Sequence, residues 1–210
     1  CWSTSAYRGT MGIENSLIGM TLGVRQTRAM QLVTIDDVRA AAARIRSHVV
    51  RTPLVPATWG EADRPLWIKP ESLQPIGAFK VRGAFNAISA LTAAGGTTAD
   101  VVAYSSGNHA QAVAYAAATF ALRAHIVMPE ETPEVKVRAT REHGARVVLC
   151  GVGQRETVAA QIAAETGGVM IPPFDHRDVI AGQGTIGLEI AEDLPDVRTV
   201  LVPVSGGGLA

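Results

Sequence analysis

Residues 101–128 read VVAYSSGNHAQAVAYAAATFALRAHIVM. Val101–Tyr104 is a short apolar run of the kind a strand buried on both faces needs. Ser105, Ser106, Gly107 and Asn108 break it. Asn108–Phe120 then carries an alanine-rich helical pattern suited to close packing on a sheet. His125–Met128 is a second apolar run. Strand, helix and strand in direct succession imply a right-handed crossover and parallel pairing.

The same alternation continues downstream. Further strands are expected at Arg146–Cys150, Gly168–Ile171 and Thr199–Val204, separated by the helical stretches PEVKVRATREHG (133–144), ETVAAQIAAETGG (156–168) and DVIAGQGTIGLEIAEDL (178–194). Upstream, Thr34 and Asp37 have the form of a capping box. Ile35, Val38, Ala42 and Ile45 then mark one face of a helix to about His48. RTPL (51–54) stops it, because the residue before proline avoids helical angles. A strand at Leu66–Lys69 and a helix from Phe79 to Leu91 follow. No segment repeats, so a solenoid is excluded. The fold class is α/β, with open, mainly parallel sheets and helices on both faces.

Residues 1–29 show no periodicity, bear arginines and are almost free of acids. They are expected to be a leader or a misassigned start, with Met30 the true beginning. The end at Ala210, inside a glycine run, reads as a C-terminal truncation.

Composition removes several function classes. Apolar residues make up 47% of the 210 and charged ones 18%, which excludes a wholly disordered chain. Lys plus Arg and Asp plus Glu are equal at 19, so the basic excess of a nucleic-acid binder is missing. No apolar run reaches the roughly 18 residues of a membrane span. The two cysteines, Cys1 and Cys150, form no disulfide framework, and a cytoplasmic setting is expected. The histidines show no metal-ligand spacing, and no metal site is expected.

In open parallel sheets, ligands gather beyond the carboxyl ends of the strands. Three segments there could carry chemistry. SSGNHAQA (105–112) crowds small polar groups onto a helix N-terminus, which suits either an anion or an ordinary cap by Ser106 or Asn108. VPVSGGGLA (202–210) could wrap a phosphate or make a tight turn. It lacks both the Walker pattern and the dinucleotide fingerprint. ESLQPIGAFKVRGAFNAI (71–88) holds Lys80, one of only three lysines beside Lys69 and Lys136. Lys136 reads as a surface residue and Lys69 as snorkelling. Lys80 opens an apolar helix, where burial and the dipole both disfavour its charge; a neutral amine suits Schiff-base chemistry, and a helix-end lysine is the plainer reading. Together, a phosphate loop, a carboxylate-sized anion site and a desolvated lysine are what a pyridoxal-phosphate enzyme acting on amino acids requires.

GAFKVRGA, SSGNHAQA, IAGQGTIGLEI and VPVSGGGL, in this order, resemble the serine/threonine dehydratase and serine racemase family, whose fold is the tryptophan-synthase-β type of pyridoxal-phosphate enzyme (fold-type II). The resemblance runs from about residue 34 to the end. It implies that Lys80 holds the cofactor's aldehyde and removes the substrate Cα proton, with Phe79 packed on the pyridine ring. Asn108 would hydrogen-bond the ring oxygen. Ser105, Ser106, Asn108 and His109, with loop amides, would hold the substrate. Gly206, Gly207, Gly208 and Leu209 would receive the phosphate. Ser106 matches the serine from which a racemase reaches the opposite face of Cα. Ala78 stands where members often have serine. The partner of the pyridine nitrogen, and the metal-binding acids of some members, would lie beyond Ala210.

The implied activity is deamination of L-threonine and/or L-serine to a 2-oxo acid and ammonia. The alternatives are serine racemisation and a non-catalytic phosphate-ligand-binding fragment. The implied architecture has two domains: 30–100 and 178–210 belong to a large cofactor domain, and 101–177 is a small inserted domain. A homodimer is possible in such enzymes.

Overall fold

The computed structural model describes residues 32–61, 63–93, 99–204 and 207–210; the expected leader at 1–29 lies outside them, as does Gly206. Helix α1 (Ile35–Ile45) starts at the capping box read from the sequence: the Thr34 hydroxyl accepts from the Asp37 N–H, and the Asp37 carboxylate accepts from the Thr34 N–H at 2.8 Å. A two-stranded antiparallel pair follows, β1 (Val55–Pro56) and β2 (Trp67–Ile68). After a 3-10 turn at Glu71–Leu73 comes α2 (Lys80–Ala93).

From there strands and helices alternate. The strands are β3 (Val101–Tyr104), β4 (Ala124–Pro129), β5 (Arg146–Cys150) and β6 (Val169–Met170). The helices are α3 (Asn108–Thr119), α4 (Glu134–Glu142), α5 (Arg155–Thr166) and α6 (Arg177–Asp193). The four strands form one sheet in the order β5-β4-β3-β6, and every pair is parallel. Side chains alternate across it as the strand period dictates. Val101, Ala103, Ile126 and Met128 face a core shared with α2, α3 and α4; Val102, Val127 and Cys150 face Ala159, Ile162 and Ala163 of α5. Both faces are covered, which is why these strands read as unbroken apolar runs.

One expected strand is corrected. Thr199–Val204 is not a strand, and Leu201 and Val204 are 80% and 67% exposed. The segment has strand composition, but a strand exists only by hydrogen bonding to a neighbour, and among the described residues none runs beside it.

Helices α2 and α6 approach closely because glycines face each other. A methyl group on Gly182 would sit 2.6 Å from the Arg82 carbonyl oxygen and 2.7 Å from Gly83 Cα. At this crossing Arg82 is fully buried. Its guanidinium donates to both Glu71 oxygens at 2.8 and 2.9 Å and to both Glu189 oxygens at 2.6 and 3.0 Å. It also reaches Thr185 Oγ1 and the Val50 carbonyl, each at 3.1 Å. Lys69 Nζ closes the cluster 2.6 Å from Glu189, so it is ion-paired and not snorkelling. Two cations and two carboxylates leave no net charge. Burial works against the Arg82 charge, and the hydrogen bonds and charges of Glu71 and Glu189 outweigh it, raising its pKa. The cluster ties the start of α2 to α6 and to the segment around residues 50–74.

Candidate active site

The first residue of α2 is Lys80, and its side chain turns toward the end of β6. Its Nζ donates to the Pro173 carbonyl and lies 5.1 Å from the centroid of the Phe79 ring. The glycine run comes to the same point. A methyl group on Gly208 would stand 2.8 Å from Lys80 Nζ, 3.2 Å from Phe174 Cβ and 3.5 Å from the Pro173 oxygen. Gly207 beside it has φ +78°, a left-handed conformation that glycine adopts without strain. Burial pushes the Lys80 amine below its ordinary pKa. The other two lysines differ: Lys136 is exposed, and Lys69 is committed to Glu189.

The SSGNH loop lies between the carboxyl end of β3 and the start of α3. Ser105 N–H donates to the Val127 carbonyl at 3.1 Å, and Ser105 Oγ accepts from Gly107 N–H at 3.1 Å. The N-cap of α3 is Gly107, with no side-chain cap, so neither Ser106 nor Asn108 plays that part. The first-turn N–H groups of Asn108 and His109 have no carbonyl within the helix to meet, and the dipole there favours negative charge. Ser106 is half-buried and Asn108 exposed at the loop's surface.

His109 is 3% exposed, and its Nε2 lies 2.9 Å from the Ile171 carbonyl. A carbonyl only accepts, so this nitrogen carries the proton and Nδ1 is left as a buried acceptor without a partner. Burial pushes the imidazole pKa down to about 4, with the charge of Lys80 adding to the effect. The ring is therefore neutral at pH 7, and its Nε2 is already engaged. What His109 can offer an anion is its backbone N–H.

The geometry thus joins Lys80, Phe79 and the described glycines Gly207 and Gly208, with His109 within electrostatic reach. Leu209 is half-buried beside them. Pro173 and Phe174 were not singled out in the sequence; their position at the carboxyl end of a parallel strand was the available signal. It also left Arg82 without a role, although a charged residue among Val81, Gly83, Ala84 and Phe85 was the clue. His125, buried 2.7 Å from Asp100, sits at the opposite ends of the strands and has a structural role. A cleft of about 310 Å³ between α1, α2 and α6 contains none of the groups around Lys80. Among the described residues, no cluster of His, Cys, Asp or Glu could hold a metal, and no helix is long and apolar enough to cross a membrane.

These residues fit a phosphate-bearing aldehyde. A partly desolvated amine meets Gly208, where even a methyl group would crowd it, and a helix N-terminus with no side-chain cap lies nearby. The comparisons agree. The family described as "Pyridoxal-phosphate dependent enzyme" matches residues 45–210. An L-threonine ammonia-lyase of Thermotoga maritima is 45% identical over 85% of this chain and 45% of its own length. A serine racemase of Oryza sativa is 41% identical over 83% of this chain and 52% of its own. The crystal structure of a pyridoxal 5'-phosphate-dependent aspartate racemase superposes with a TM-score of 0.80 at 38% identity, covering 84% of this chain and 56% of that one. The chain spans about half the length of the curated relatives it matches. With this fold, this lysine and this match, the chain belongs to the pyridoxal-phosphate dependent enzyme family.

Proposed function

We propose that this chain provides the lysine and substrate side of an ammonia-lyase that converts L-threonine and/or L-serine to a 2-oxo acid and ammonia. The observation that carries the reading is the meeting of Lys80 Nζ with Gly208 at the end of the sheet where the α3 N-terminus is left uncapped. Pyridoxal phosphate, when bound, supplies the electron sink that makes a Cα–H bond acidic.

The chain's own residues take the following roles in this reading. Lys80 would hold the cofactor's aldehyde carbon and take the substrate Cα proton at Nζ, a role that burial favours by lowering the amine's pKa. Phe79 would pack along the cofactor ring, and Asn108 would donate to its ring oxygen. Gly207, Gly208 and Leu209 would receive the phosphate, together with Gly206 as the sequence motif implies. The substrate carboxylate lies on the Ser105 and Ser106 hydroxyls and on the backbone N–H groups of Asn108 and His109, where the helix dipole favours it. Loss of the β-hydroxyl as water, then hydrolysis of the enamine, gives 2-oxobutanoate from threonine or pyruvate from serine, with ammonia. Residues 101–177 act as a small domain that closes over the substrate and excludes water.

The test is Lys80→Ala in the full chain. Loss of cofactor colour together with loss of 2-oxo acid release is expected; survival of both would refute the reading. A racemase is the second reading, favoured by the half-buried Ser106 at the loop's surface and by the similarity to two racemases. Chiral analysis of serine after incubation separates the two: inverted serine in excess of pyruvate would overturn the lyase.

A further inference from the structure

Ile171 is held from both sides. Its N–H donates to the Val102 carbonyl at 2.8 Å, extending the sheet by one bond, and its carbonyl accepts from His109 Nε2 at 2.9 Å. The next two residues, Pro172 and Pro173, have no N–H to donate, so no backbone donor of their own can anchor them. Their ring-locked φ angles make the segment stiff. The orientation of the Ile171 peptide is therefore passed on, with little freedom, to the Pro173 carbonyl, which receives the Lys80 amine. Phe174, the following residue, stands beside Gly208 and helps to cover that amine.

We propose that His109 is a positioning residue for Lys80. Its Nε2–H grips the Ile171 carbonyl, and the two-proline segment carries that grip to the Pro173 carbonyl, which seats the amine whenever it is free. This rests on the reading of Lys80 as the reactive amine. It gives the buried imidazole a task that neither acid–base chemistry nor anion binding requires. It also links the loop bearing Ser105 and Ser106 to the lysine by one continuous chain of contacts. The groups that face the amine are the Phe79 ring, the Pro173 carbonyl, Phe174 and Gly208, with the neutral His109 behind them.

Competitive acetylation of the full chain without cofactor tests this directly, because the only lysines are Lys69, Lys80 and Lys136. Labelling with acetic anhydride across pH, read by peptide mass spectrometry, gives a midpoint for each. Exposed Lys136 serves as the free reference, and ion-paired Lys69 reports that the fold is intact. His109→Leu fills the space but donates nothing. It is expected to shift the Lys80 midpoint upward, toward that of Lys136, with Lys69 still protected. His109→Gln, whose amide reaches about as far as Nε2, is expected to restore the wild-type profile. An unchanged Lys80 midpoint in the leucine variant, or the same profile for leucine and glutamine, overturns the proposal. Should the leucine variant lose Lys69 protection, His109→Asn decides in its place: its amide is too short to reach Ile171, so a wild-type profile there is equally fatal. A role confined to the substrate carboxylate would leave Lys80 labelling unmoved in all of these. Protection of wild-type Lys80 by added pyridoxal phosphate tests the cofactor reading separately.

Discussion

Replacing Arg82 by methionine should be among the most damaging single changes in this chain. Methionine fills much of the same volume, so the loss is chiefly one of charge. Glu71 and Glu189 would then face Lys69 alone, leaving one nearly buried carboxylate uncompensated. Removing one partner from a buried ionic cluster costs about 3–5 kcal/mol. That is a large share of the roughly 5–15 kcal/mol by which a domain is stable. At about 2–4 °C per kcal/mol for a chain of this size, the melting temperature should fall by ~6–20 °C. Urea unfolding, followed by the fluorescence of Trp59 and Trp67, measures the change as a shift in midpoint at constant slope. The double variant Arg82→Met with Glu71→Gln should regain part of the loss, since the Lys69–Glu189 pair at 2.6 Å then stands alone and balanced. A single variant within about 0.5 kcal/mol of wild type, or a double variant no better than the sum of its parts, would refute the account of a charge-balanced cluster.

Three further expectations can be checked on the same protein. Gly182→Ala puts a methyl group 2.6 Å from backbone that cannot step aside, and should destabilise by about 1–3 kcal/mol, whereas Gly187→Ala, with nothing within 4 Å, should gain up to ~1 kcal/mol from helix propensity; paired denaturant curves decide. Gly208→Ala crowds Lys80 Nζ and should weaken pyridoxal-phosphate uptake by about tenfold with little change in melting temperature, as read by absorbance titration. His109 has its pKa pushed from 6.5 to about 4 by burial, so the unfolded chain binds more protons than the folded one between those values. Its contribution is complete above pH 6.5 and is lost as pH falls toward 4, by ~3 kcal/mol in all; His109→Gln should remove that part of the slope in urea midpoints taken from pH 7 to 5.

The parallel sheet was legible because its strands are buried on both faces and interrupted by turn residues at even spacing. Lys80 and Gly208 were each ambiguous by themselves, a helix-end lysine and a glycine run that could equally be a tight turn, and gained meaning only in combination with the SSGNH loop. Thr199–Val204 misled for a physical reason: its composition states a preference for pairing, but pairing needs a neighbour that composition cannot name. Pro173 and Phe174 were hidden because a carbonyl has no sequence signature and a proline pair suggests only a bend. Arg82 was quoted within a motif, yet its partners Glu71 and Glu189 are far from it along the chain and meet it only once the helices cross. His109 was expected to use its ring on a substrate. Burial turned the ring inward and left only its main chain for that work.

The glycine at position 182 carries a warning for anyone wishing to make this protein hardier. Helix α6 sacrifices intrinsic helicity there, and an engineer ranking substitutions by propensity would change that residue first. Doing so would lift the neighbouring helix from its bed and shift the amine at its tip, because the missing side chain is what lets the two backbones touch. Stability and reactivity therefore both depend on this one glycine, whereas Gly187, a turn and a half further along, can be improved freely.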